Sequence, residues 1–250
     1  MLKKICPILA FLLVLVSFAF AEPVSFIDDL TGNITLPYDS SDPASCSYTC
    51  IWAYPVLDGN DEFALAVNSF YQKKAEDAIV FDIPILAECM IGYEYDTLCE
   101  TTYTVTCNND SYLSFLFTQK EISSEYESIR YYGHTFSRME IKPDSTVALP
   151  YLLGILSNGN NDTWLQDRQT DKADSIVREL VWEQLINGES SSLYDWVTEE
   201  YFQEVFYPEE DFYLNENGNP VFFVLPGEIA SEESGLLTFE IDLEDIMDEM

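Results

Sequence analysis

The sequence predicts an α+β protein, with helices packed on one face of a mostly antiparallel sheet that follows a cleaved signal peptide. Residues 101–107 and 112–117 alternate apolar and polar side chains around Asn108-Asn109-Asp110, as a half-buried strand pair does. Residues 62–79 and 173–187 instead repeat their apolar positions at helical spacing. The order of the elements sets the class. Strands come first, then helices, then strands again, rather than in the strict alternation of a parallel sheet.

At the N-terminus Lys3 and Lys4 precede an apolar run at 8–16 and the small-x-small site Ala19-Phe20-Ala21, which predicts a signal peptide over 1–21. Residues 22–45, with Pro37 and Pro43, read as an extended lead-in. A strand follows at 48–57. Asp58-Gly59-Asn60-Asp61 then turns the chain and caps a helix ending near Ile79, with Phe63, Val67, Phe70, Tyr71, Ala75 and Ala78 on its apolar face. Residues 89–95 and 101–107 read as paired strands, with Tyr103, Val105 and Cys107 sharing a face. The strand at 112–117 buries Leu113, Phe115 and Phe117, and strands at 127–132 and 135–141 lead to the turn Pro143-Asp144-Ser145. Residues 158–162 form a loop. The helix at 173–187 carries Ile176, Val177, Leu180, Val181, Gln184 and Leu185 on one stripe and ends at Gly188. A shorter helix at 194–206 is stopped by Pro208. Two aromatic strands joined at Asn217-Gly218, a strand at 239–241 and an acidic helical turn from Asp242 complete the chain. This organisation divides the protein into modules at 46–125 and 126–250.

Composition narrows the function classes. The apolar share of 47% and aromatic share of 14% describe a folded chain. Against 45 acidic residues stand 11 basic ones, and loss of Lys3 and Lys4 with the signal peptide takes the formal net charge from −34 to −36. From Glu179 to Met250 there is no Lys or Arg. Nucleic acid and anionic membrane surfaces are therefore excluded as partners, whereas a cationic protein, a basic peptide or a metal cation is attracted. Cys46, Cys50, Cys89, Cys99 and Cys107 remain after cleavage and are disulfide candidates in an oxidising compartment, with the pairing open.

Catalytic signatures are missing. His134 is the only histidine, which leaves no ligand set for a catalytic zinc, and neither H-E-x-x-H nor G-x-S-x-G occurs. Gly154 and Gly159 have P-loop spacing, but Asn160 stands where lysine is required. Asp58-x-Asn60-x-Glu62 begins like a calcium loop, yet Phe63 occupies the glycine position. No cofactor or metal is expected. Adjacent acids such as Glu199-Glu200, Glu209-Glu210 and Glu232-Glu233 leave carboxylate-dependent hydrolysis of peptidoglycan or another glycan as the alternative function.

The C-terminal pattern resembles a known family. Phe212-Tyr213-Leu214, Asn217-Gly218, Val221-Phe222-Phe223, Pro226-Gly227-Glu228-Ile229-Ala230-Ser231, Gly235 and Phe239-Glu240-Ile241 are similar to the end of the RsiV-like domain. That domain is found outside the cell in lysozyme-sensing anti-sigma factors and in some peptidoglycan deacetylases. Upstream, Trp52-Ala53-Tyr54-Pro55-Val56-Leu57 and Tyr103-Thr104-Val105-Thr106 look like its N-terminal module, and Tyr132-Gly133-His134-Thr135-Phe136 sits where the family has a turn. Gly227, Ser231 and Glu232-Glu233 depart from the family pattern. The resemblance implies a secreted or periplasmic, non-enzymatic binding module. Its implied partner is a cationic protein such as lysozyme, or a cell-wall component. Glu228, Glu232 and Glu233 are the candidate ligand contacts, supported by Phe222 and Phe223.

Overall fold

The computed structural model describes residues 23–42, 44–142, 145–155, 163–188 and 193–250. The expected signal peptide, the Pro143-Asp144 turn and the loop at 158–162 lie outside those residues. The observed class is α+β, built on a five-stranded sheet of order β1-β2-β3-β4-β5 and a three-stranded sheet of order β6-β7-β8.

β1 (Leu30–Pro37) lies within the extended stretch expected at 22–45 and is a paired strand. It runs antiparallel to β2 (Ser47–Tyr54) from Leu30↔Tyr54 to Pro37↔Ser47. Leu30, Ile34 and Leu36 do alternate with polar residues, but Gly32 and Pro37 obscure the pattern. Gly32 has a packing reason: an added Cβ would fall 2.2 Å from the Trp52 ring, which lies across it.

β2 pairs parallel with β3 (Thr97–Asn108), so the chain must cross over between them. The crossover is helical. α1 (Glu62–Asp77) starts at Asp61, whose Oδ1 accepts the Ala64 N–H at 3.0 Å, and buries Phe63, Val67, Tyr71 and Ala75. α1 ends at Asp77, close to the expected Ile79, but the helical path goes on. A π-helical turn (Ala78–Asp82) carries it into α2 (Ile83–Cys89). Pro84 supplies the reason: it has no N–H for the ladder and its ring crowds the carbonyl one turn back, which a widened turn relieves. Residues 90–95 are turn and coil instead of the expected strand, and β3 begins at Thr97.

β3, β4 (Tyr112–Ile122) and β5 (Glu127–Ser137) form an antiparallel meander. The Asn109 side chain fixes the first turn by accepting the Ser111 and Tyr112 N–H groups, both at 2.9 Å. The expected common face of Tyr103, Val105 and Cys107 is broken by a β-bulge between Val105 and Cys107. Val105 stays opposite Phe115, while Cys107 moves opposite Ser114 and joins the second core. The segment 132–136, likened above to a turn, is continuous strand inside β5. Because β4 and β5 pair along their whole length, the sheet continues across position 125/126.

α1 covers one face of this sheet: Tyr71 packs on Phe115, Phe117, His134 and Phe136. The opposite face carries β6 (Phe212–Leu214). Ser114 Oγ accepts the Leu214 N–H at 3.0 Å and lies 2.9 Å from Thr135 Oγ1, which bolts the two sheets together. Beyond β6 come β7 (Pro220–Val224) and β8 (Leu237–Glu240), with the Asn215–Asn219 hairpin closed at Gly218 (φ 88°) by its N–H to the Asn215 carbonyl. This small sheet shares a core with α4 (Thr163–Asn187), α5 (Glu199–Val205) and α6 (Leu243–Glu249), and α3 (Leu149–Leu152) caps it. α4 buries Val177, Val181 and Leu185, and begins ten residues before the expected 173. α5 starts only at its cap, Thr198, whose hydroxyl accepts the Tyr201 N–H.

Candidate functional site

The acidic loop between β7 and β8 is held from below. Ile229 and Ala230 are buried, Tyr194 donates its N–H to the Ile229 carbonyl at 3.0 Å, and Ala230 bridges to Leu193. Gly227 (φ 87°) makes the reversal after Pro226, and Gly235 (φ 69°) releases the chain from the 3₁₀ turn Glu232–Ser234. Ser231 and Ser234 hydroxyls, 3.1 Å apart, brace that turn. With the apolar residues of the loop anchored, Glu232 and Glu233 are exposed.

Glu232 and Glu233 meet Glu127 and Tyr131 of β5 around an open cavity of about 280 Å³, with Pro226 as its apolar wall. β5 is the last strand of its sheet, so this cavity lies along an edge. Lys120 reaches Glu127 at 2.7 Å. The structure thus brings two of the three expected loop acids together and adds Glu127 and Tyr131, which the sequence reading missed because they lie about a hundred residues upstream. Glu228 stands apart. Burial raises its pKa, and it adds to the charge felt by Asp211, whose carboxyl is pushed up to about 6, first by burial. Phe222 and Phe223 are fully buried and shape the sheet beneath the loop.

Two other polar clusters lie elsewhere. His134 is buried against Tyr71, whose hydroxyl is 3.3 Å from Nδ1; burial and then Lys74 push its pKa down to about 3, so the ring is neutral. It borders a cavity of about 500 Å³ that also meets Lys74, Glu209 and Glu210. On α4, burial and then a hydrogen bond with Glu209 push Asp174 up to about 7, although Arg178 is near. Asp174 Oδ1 is buried without a hydrogen bond. Among the described residues no three His, Cys, Asp or Glu side chains converge as a metal site, no helix is long and apolar enough to cross a membrane, and the five cysteines are free thiols.

Residues 165–244 match the family model described as Protein of unknown function (DUF3298). The DUF3298 match runs from the start of α4 into α6, so it covers most of the second core and contains the acidic loop. Two solved DUF3298 proteins share the fold over nearly the whole chain. One, from Bacteroides fragilis, is 16% identical with a TM-score of 0.50, covering 91% of this chain and 93% of its own. The other, from Pseudomonas aeruginosa, is 9% identical with a TM-score of 0.50, covering 90% and 94%. The five-stranded sheet is thus part of the shared architecture although the DUF3298 match begins after it. No curated protein matches the sequence.

Proposed function

We propose that this chain is an exported, non-enzymatic binding module that captures a cationic protein through the acidic loop at 226–235. The observation that carries the reading is the convergence of Glu232, Glu233 and Glu127 on one open cavity beside Tyr131. Carboxylates on a braced loop present charge without the ordering cost of a flexible segment, and an aromatic at the same place supplies contact area. The net charge of −34 steers a cationic partner towards this surface from a distance. Export rests on the signal-peptide pattern at 1–21, and the resemblance to the RsiV-like domain supports lysozyme as the probe.

Titration against an animal-type lysozyme at low and high salt, beside an unrelated protein of equal positive charge, tests the proposal. Saturable binding to lysozyme that survives salt and spares the control is expected. The triple variant Glu228→Lys, Glu232→Lys, Glu233→Lys should weaken it by roughly tenfold or more. Unchanged affinity in that variant would remove the loop from the interface.

A further inference from the structure

We infer that Cys50 and Cys99 are a paired thiol site that a small peroxide oxidises to a disulfide bridging β2 and β3. The inference stands on the first core and is independent of the binding reading.

Cys50 and Cys99 are directly opposed across the parallel β2–β3 ladder, so their Cβ atoms leave the sheet on the same face. Neighbouring strands lie about 4.7–4.9 Å apart. That falls inside the range of about 4.4–6.8 Å between Cα atoms that a disulfide spans. Gln119 Nε2 donates to Cys99 Sγ at 3.2 Å. Cys50, the first cause, and then its other polar neighbours hold the Cys99 thiol down at about 7, while Cys99 and then burial push the Cys50 thiol up, so Cys99 is the sulfur that ionises near neutral pH and Cys50 keeps its proton. Cys107 cannot compete as a partner, because the bulge in β3 has turned it into the other core.

Both sulfurs are shielded from bulky reagents, with Cys99 fully buried. Cys50, however, lines a cavity of about 200 Å³ between the sheet and the α1–α2 segment, bordered by Lys74, Asp82, Leu86 and Gln119. Its size admits hydrogen peroxide and excludes a peptide disulfide. The Cys99 thiolate takes the Cys50 thiol proton as the Cys50 sulfur attacks one peroxide oxygen. The O–O bond breaks, leaving Cys50 as a sulfenic acid and releasing hydroxide, which takes the Cys99 proton as water. The Cys99 thiolate then attacks the Cys50 sulfur and the S–O bond breaks; the second hydroxide leaves and takes a proton from solvent. Two sulfurs are oxidised and one peroxide becomes two waters.

The test treats the reduced full-length chain with equimolar hydrogen peroxide near neutral pH, alkylates remaining thiols in denaturant, and maps unreduced peptides by mass spectrometry. A peptide linking Cys50 to Cys99 is expected, with a loss of two thiols per chain. Alkylation of both, their overoxidation without a link, or a link from either one to Cys46, Cys89 or Cys107 overturns the inference. The variant Cys50→Ser, with folding checked by circular dichroism, should leave Cys99 reduced, because Cys50 is the sulfur that lines the cavity. A folded variant in which peroxide still oxidises Cys99 overturns the peroxide step.

Discussion

Asp174 and His134 show how burial, the largest cause at each, gives opposite pH behaviour to two side chains. The Asp174 carboxyl has an ordinary value of 3.8 and is raised to about 7, so the folded chain keeps a proton that the unfolded chain has released across that window. Its contribution to stability is therefore lost as pH rises through the window, and Asp211, raised to about 6, acts in the same direction. His134 runs the other way. Its ordinary value of 6.5 falls to about 3, so the stability it contributes is present above pH 6.5 and lost as pH falls through 3. Asp174→Asn should flatten the loss of stability between about pH 4 and about pH 7, read from urea midpoints. An equally steep loss in the variant would mean that Asp174 is not the group responsible.

At the scale of the elements, the contact between the two sheets is set by what is absent from one residue. A Cβ on Gly133 would lie 1.8 Å from the Phe212 carbonyl oxygen, and that neighbour is backbone, which cannot swing aside. Gly133→Ala must push β6 off β5 and strain the Leu214-to-Ser114 hydrogen bond, at a cost of about 1–3 kcal/mol. Chemical denaturation reads this directly, and an unchanged midpoint would show that β6 has room to move. The acidic loop depends on the same docking, because β6 and β7 carry it to the edge of β5. Gly133→Ala should therefore also weaken lysozyme binding even though every loop carboxylate is intact.

For the whole molecule, the balance of 45 acidic to 11 basic residues makes the folded state self-repelling. Among the described residues Lys120–Glu127 at 2.7 Å and Lys142–Glu140 at 3.6 Å are ion pairs that relieve it, both partly exposed. Salt shortens the reach of that repulsion, with a screening length of about 10 Å at 0.1 M. The melting temperature should rise as sodium chloride is added from near zero to about 0.5 M. A falling melting temperature would indicate that attractive pairs outweigh the net charge.

The sequence by itself determined the class, the strands at 101–107 and 112–117, the helix at 173–187 and the hairpin at Gly218, because each is written in local periodicity or in a residue that suits one backbone conformation. It also marked Glu232 and Glu233 as exposed charges on a loop. It could not show that the helix passes Pro84, since accommodation by a π-turn depends on the packing around it. Nor could it show that Cys107 changes face, because a bulge is a matter of register between strands. The partners across space were decided only by the tertiary structure: Glu127 and Tyr131 beside the loop, Gly133 beneath β6, and Cys50 against Cys99. Those contacts join residues up to a hundred positions apart, and long-range register is set by how two whole faces pack rather than by any stretch of chain.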